Sequence, residues 1–307
     1  MSRLFCLFMM TTAPAFADVP KVVTDIAPVH ALVAQVMDGL GAPDLIIPAN
    51  ASPHGYAMRP SEARNLAQSD IVVWVGPTLT PWLEGPVNAI GAQAEQLVLA
   101  EVNGINVLPF REGEAFEAHD HEHEHTHGHA DGGDEPSDPH LWLDPENASV
   151  WLAAIATVLA DADPDNAEVY HANGNRGQVA IALQEKAIAE KLTPLSGTPF
   201  VVLHDAFHYF ESHFEVEAIA AVSAGDAAKP GAARIASLRA QLADSGVRCA
   251  FSEPQINASL LETVTEGLDV KIGVLDPLGA GLPLGPGQYA ALLGVMADSM
   301  VACLSHK

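Results

Sequence analysis

The chain alternates short β-rich runs with helical stretches twice over, and the two alternating regions flank one long helix-forming segment. In the first half, residues 21–24, 44–47 and 71–75 read as buried strands, and residues 29–37, 61–68 and about 81–96 as helices. In the second half, strands are expected at 200–203, 218–222, 247–251 and 271–274. Helices are expected from the first of these strands to about residue 210, and over 232–243, 258–267 and 288–303. Such alternation predicts βαβ units and a largely parallel sheet in each half. Between the halves, Asp144-Pro145 and Asp163-Pro164 each set a carboxylate before a proline suited to a first helical position. The first opens a helix to about residue 160. The second opens a stretch of about 28 residues, roughly 42 Å if helical, stopped at Thr193-Pro194. Gly174 and Gly177 weaken its helix propensity. The expected fold is α/β, with two lobes, each a mostly parallel sheet flanked by helices, joined by one long rigid helix. The expected divisions are 18–162, 163–193 and 194–307.

Residues 111–137 interrupt this pattern. From His119 to His129 the chain reads HDHEHEHTHGH. Its histidines are His119, His121, His123, His125, His127 and His129, interleaved mostly with acidic residues, and Gly128, Gly132 and Gly133 are close by. Neutral imidazole is a preferred ligand for borderline divalent metals such as zinc, nickel and copper. A glycine-containing acidic tract can wrap an ion but holds no rigid site in advance. A disordered insertion whose six histidines serve as accessory metal ligands is expected, and a merely solvated charge run is the plain alternative.

The first 17 residues, MSRLFCLFMMTTAPAFA, carry Arg3, an apolar run from Leu4 to Met10 and the small-x-small triplet Ala15-Phe16-Ala17. This is the pattern of a secretory signal peptide cleaved after Ala17, leaving an exported protein that starts near Asp18. Too little apolar sequence precedes Cys6 for lipidation, and no later stretch is long enough to span a bilayer. The formal charge of −25, from 39 acidic against 14 basic residues, argues against nucleic acid, which needs a positive surface. Without Cys6, two cysteines remain, Cys249 and Cys303. In an oxidising compartment they are either a disulfide, contributing roughly 4 kcal/mol by closing a loop of about 55 residues, or two buried thiols.

Several histidines stand where loops leave strands or enter helices. His54 lies in SPHGYAMRPS, His140 in DPHLWLDP, and His204 in VVLHDAFHYF at the carboxyl end of a strongly β run; Asp276 lies in GVLDPLG at another strand end. In open parallel sheets, ligands gather beyond the carboxyl ends of strands. These four residues, two from each half, can therefore converge between the lobes. His208, one helical turn past His204, reads as packing on an aromatic face, and His30, His171, His213 and His306 read as structural or surface residues.

These strings resemble those of the cluster A-I substrate-binding proteins of ABC transporters, in the zinc-binding branch, over essentially the whole mature chain. SPHGYAMRPS is similar to the family's first ligand motif, DPHLWLDP to the second, and VVLHDAFHYF to the third. FSEPQ followed by LDPLG is similar to its C-terminal signature. The resemblance implies two lobes, a rigid linking helix and a metal in the cleft held by His54, His140, His204 and Asp276, with delivery to an inner-membrane permease. It also implies a Cys249–Cys303 disulfide. Manganese members carry a carboxylate where His204 stands, and three imidazoles with at most one carboxylate suit tetrahedral zinc. Some zinc members have an acidic residue where Pro53 precedes His54, so Asp276, water or another carboxylate is left to close the shell.

The leading expectation is a periplasmic, monomeric, non-enzymatic protein that captures Zn(II) for uptake. A secreted zinc hydrolase is the runner-up, since three histidines and an open position also form a catalytic arrangement. Against it, there is no HExxH and no nucleophile motif. A metal-buffering or adhesion protein is the third reading.

Overall fold

The computed structural model describes residues 19–111, 115–116, 137–223 and 230–305. The expected signal segment, the tract histidines His119, His121, His123, His125, His127 and His129, and His306 lie outside these residues. Among the described residues no helix is long and apolar enough to cross a membrane.

The first sheet contains β1 (Val22–Thr24), β2 (Asp44–Leu45), β3 (Ile71–Trp74) and β4 (Glu95–Val98), all parallel, in the order β2-β1-β3-β4. Around it lie α1 (Ala27–Val36), α2 (Pro60–Ala67) and α3 (Pro81–Ala89). The second sheet contains β5 (Phe200–His204), β6 (Ala220–Ser223), β7 (Cys249–Ser252) and β8 (Lys271–Val274), also parallel, in the order β6-β5-β7-β8. Its helices are α6 (His208–Phe214), α7 (Ala232–Ser245), α8 (Ser259–Thr265) and α9 (Gln288–Leu304). Between the sheets run α4 (Pro145–Ala162) and α5 (Ala167–Leu192).

The expected cap at Asp144 is present, its side chain accepting from the Glu146 amide. The second device works differently. Pro164–Asn166 form a short 3-10 turn, and the Asp163 carboxylate instead accepts from Asn166 and from the Tyr170 hydroxyl. The helix that follows has 26 residues, about 39 Å long. The two glycines that weaken its propensity lie where it packs on α4. A Cβ on Gly174 would sit 3.2 Å from the Leu152 carbonyl oxygen, and one on Gly177 2.8 Å from a Leu152 methyl. Close packing against α4, not flexibility, is what those glycines serve. Asn173 fixes the other side by donating to the carbonyls of Val36 and Asp38 past the end of α1.

Two elements differ from the sequence reading. The stretch 81–96 is not one helix: α3 ends at Ala89 and Glu95–Val98 is the edge strand β4. The segment after β5 is not helical at once, because Asp205–Phe207 turn before α6 begins at His208.

The β5 strand shows how the core is divided. Phe200 and Val202 face a large cluster that runs from the first sheet through α4 and α5 to α9, whereas Val201 and Leu203 face a smaller cluster under α7 and α8. The period-2 alternation of a strand thus buries both faces of β5. The large cluster is shared by both lobes, and α9 packs against α5, β8 and α1. Cys249 at the start of β7 is bonded to Cys303 on α9, with Cα atoms 5.9 Å apart.

Candidate metal centre

His204 is the last residue of β5, the strand at which the order of the second sheet reverses, so its side chain emerges in the crevice where ligands collect in open parallel sheets. His54 comes from the loop after β2. Its amide donates to Ser52 Oγ at 3.3 Å, and Trp82 Nε1 donates to the Pro53 carbonyl at 2.7 Å, so the two residues before His54 are both held. His140 precedes a short 3-10 turn, Leu141–Leu143, which leads into α4. Trp142 of that turn donates to the carbonyl of Pro277, and Tyr289 of α9 donates to the carbonyl of Trp142, so the turn is fastened to the second lobe.

The three imidazoles meet. Their ring centroids are 5.0, 5.4 and 5.6 Å apart, and one ligating nitrogen from each lies within 4.8 Å of the others. His140 and His204 are buried and His54 is half-buried. Around them is a cavity of about 20 Å³, lined also by Ser52, Trp142, Glu253 and Leu278. This is room for an ion with one water-sized companion. Zinc bound by imidazole at about 2.0–2.1 Å requires the three nitrogens to draw together around it.

Carboxylates orient two of the rings. Asp138 Oδ1 lies 2.7 Å from His140 Nδ1 and also accepts from the His140 amide. Glu253 Oε2 lies 3.5 Å from His204 Nδ1. A carboxylate on Nδ1 keeps the proton there and leaves Nε2 as the ligating atom. Burial pushes the Asp138 carboxyl up to about 7, against the lowering bond from the His140 amide.

Asp276, expected as the fourth ligand, lies outside the group whose ligand atoms are within 4.8 Å of one another. Its carboxylate is occupied by the turn it begins: Oδ1 accepts from the amides of Leu278 and Gly279 and from Gln255 Nε2, and Oδ2 accepts from the amide of Ala280. Gln255 Nε2 also donates to the carbonyl of Ala49 in the first lobe. Asp276 thus shapes the cleft wall. His208 begins α6, 3.8 Å from Asp138, and is not in the cluster. His30 contacts the Pro43 carbonyl, His213 lies between Asp144 and Glu185, and His171 is exposed. The expected accessory ligands His119, His121, His123, His125, His127 and His129 fall outside the described residues. Among the described residues the metal-ligating cluster is therefore His54, His140 and His204.

A periplasmic zinc-uptake family, described as zinc-uptake complex component A and called ZnuA, matches residues 22–303. The chain belongs to this family. A high-affinity zinc uptake system protein ZnuA of Paracoccus denitrificans is 44% identical over 305 residues, covering 95% of this chain and 94% of its own. Another from Brucella suis is 37% identical, covering 92% and 91%. Among solved structures, a crystal structure of ZnuA aligns with a TM-score of 0.79 at 21% identity, over 94% of this chain and all of that one. That likeness shows the fold: two lobes on a long helix.

Within this ZnuA-family frame, reasoning from the sequence passed over Asp138 and Glu253. The signals were there, since Asp138 stands two residues before His140 in DPH and Glu253 stands at the end of β7 in SEP. Also passed over was Arg111, whose guanidinium pairs with Asp205 and Glu211.

Proposed function

We propose that this protein captures Zn(II) in its interlobe cleft and delivers it to an inner-membrane ABC permease. The observation that carries the reading is the meeting of His54, His140 and His204, supplied by both lobes, around an ion-sized cavity. Three neutral imidazoles offer a donor set suited to tetrahedral zinc, with a fourth position for water, whereas manganese prefers more oxygen. The four hydrogen bonds that the Asp276 oxygens accept favour a turn role for it over that position.

The sequence of events follows from the placement of the ligands. The acidic surface raises the local concentration of dications, and the histidine tract serves as a lower-affinity collector. Zinc bound by ligands from both lobes holds the lobes together, and release requires one lobe to surrender its imidazoles. The family setting supports a periplasmic protein, and the first 17 residues support export through a cleaved signal. A monomer acting without nucleic acid fits the charge of −25.

Zinc and manganese titration tests the reading on three proteins: the mature chain, a deletion of residues 118–131, and His140→Ala/His204→Ala. One tight zinc site is expected to survive the deletion and vanish in the double variant. Tight binding that goes with the tract and ignores the double variant would overturn the cleft assignment and make the protein a metal buffer.

A further inference from the structure

The residues that flank the histidine-rich insertion in sequence, 108–111 and 137–138, form a two-armed stem. The arms are joined by an antiparallel bridge between Pro109 and Ser137, and the Asp138 amide donates to the Leu108 carbonyl at 2.9 Å. By sequence the stem belongs to the first lobe, yet its fastenings lie on the second. The Tyr209 hydroxyl on α6 accepts from the Leu108 amide and donates to the Asp138 carbonyl, touching both arms at 2.9 Å. Arg111 then reaches the second lobe with its whole fork. Its Nε and Nη2 donate to Asp205, and its Nη1 donates to Glu211 at 2.5 Å. The ring of Phe116 lies 4.2 Å from the guanidinium carbon. Glu211 is fully buried and also accepts from the Ala218 amide, ahead of β6.

These contacts lead to two zinc ligands of opposite lobes. One arm ends in Asp138, which holds His140 through both its amide and its ring. The other ends in Arg111, which grips Asp205, the residue after His204. His54 has no part in this unit. Resting on the zinc-uptake reading above, we propose that Arg111 is a positioning residue for zinc: it clasps the stem to the second lobe, fixes the spacing of His140 and His204, and so slows the ion's departure. An arginine suits the task because its planar fork engages two carboxylates at set angles, which a lysine ammonium cannot do. Ligands held in place bind more tightly than the same ligands gathered from a loose ensemble.

Charge and geometry predict opposite signs here, which makes the proposal testable. Arg111 is a cation near the cleft, so electrostatics alone would have its removal tighten zinc binding. Positioning requires its removal to weaken binding. Arg111→Met and Arg111→Lys are measured for zinc affinity and dissociation rate, and with Co(II) for the absorption spectrum of the bound ion. Circular dichroism and thermal melts confirm folding. Arg111→Lys, with the charge kept, is expected to weaken zinc about tenfold, a loss typical of groups that orient ligands. The loss should appear mainly as faster dissociation, with a changed Co(II) spectrum; Arg111→Met should go further in the same direction. Folded Arg111→Lys with affinity within twofold of the parent and an identical Co(II) spectrum would overturn the proposal. If neither arginine variant folds, Tyr209→Phe, which unfastens the other side of the stem, is judged by the same criteria. The unmodified protein and His140→Ala/His204→Ala are run alongside. A parent without tight zinc, or a double variant that keeps it, defeats the uptake reading itself, whatever Arg111 does.

Discussion

The first sheet runs β2-β1-β3-β4 and the second β6-β5-β7-β8, the same order shifted by four strands, yet the two lobes present their histidines by different means. In the second lobe His204 is part of a strand, so ladder register and a strand buried on both faces fix it. In the first lobe His54 and His140 stand beyond the ends of regular structure, held by Ser52, Trp82 and Asp138. One lobe supplies a ligand as a consequence of its fold, and the other supplies two by local bonding. Identical topology therefore does not imply identical means of fixing a ligand, which is ladder register in one lobe and local bonds in the other.

Ligand removal is the harshest test of that contrast. His204→Ala and His54→Ala should each cost more zinc affinity than the 10- to 100-fold typical of outer-shell partners, measured by competition with a chelator. His204→Ala is expected to be the worse, since no neighbouring residue of β5 can swing into its place. A milder loss at His204 than at His54 would reverse the comparison.

The disulfide belongs to the second lobe alone. Cys249→Ser/Cys303→Ser should lower stability by about 2–5 kcal/mol in chemical denaturation. Zinc affinity of the folded fraction should stay unchanged, because the cysteines join the start of β7 to the end of α9, the ends opposite Glu253 and Tyr289. A parallel fall in affinity would show that β7 and α9 help to place the ligand.

Asp276→Asn separates a turn residue from a ligand. Losing carboxylate acceptors for backbone amides should cost about 1–3 kcal/mol of stability and change zinc affinity only a few-fold. Loss of tight zinc in a folded Asp276→Asn protein would restore Asp276 to the coordination shell.

The smallest effect concerns the joint where the lobes meet the long helix. There His213 of α6 lies 3.4 Å from Asp144 and 3.3 Å from Glu185. Burial lowers its pKa, but the two carboxylates outweigh burial and raise it above the ordinary value. A histidine raised on folding stabilises fully below its unfolded pKa, about 6.5, and that contribution fades as pH climbs through the raised value. His213→Gln should therefore destabilise at pH 5.5 and do so less at pH 8.5, read from denaturation midpoints. Equal losses at both values would remove the charge from the explanation.

Much of this was legible in the sequence because apolar periodicity and proline caps are local signals. The strands β1, β3 and β5 are apolar almost throughout and both proline devices stand at turns. The edge strand β4 escaped notice because it begins Glu95-Gln96, polar residues that an edge tolerates and that periodicity counts as helix surface. The convergence of His54, His140 and His204 was readable from strand-end placement. Asp276 was left between two roles, because an aspartate before proline in LDPLG serves a turn and a metal equally well. Arg111 was illegible for a different reason: its partners lie some 100 positions away, and pairing over that distance leaves no local pattern.

The packing of α9 on α1 and α5 has a consequence for the order in which the protein can take shape. A chain made from its N-terminal end shows α1 early, and the surface that α9 will cover stays open until nearly everything else has followed. Contacts between segments so distant in sequence are slow to form. The final structure therefore waits on the last helix.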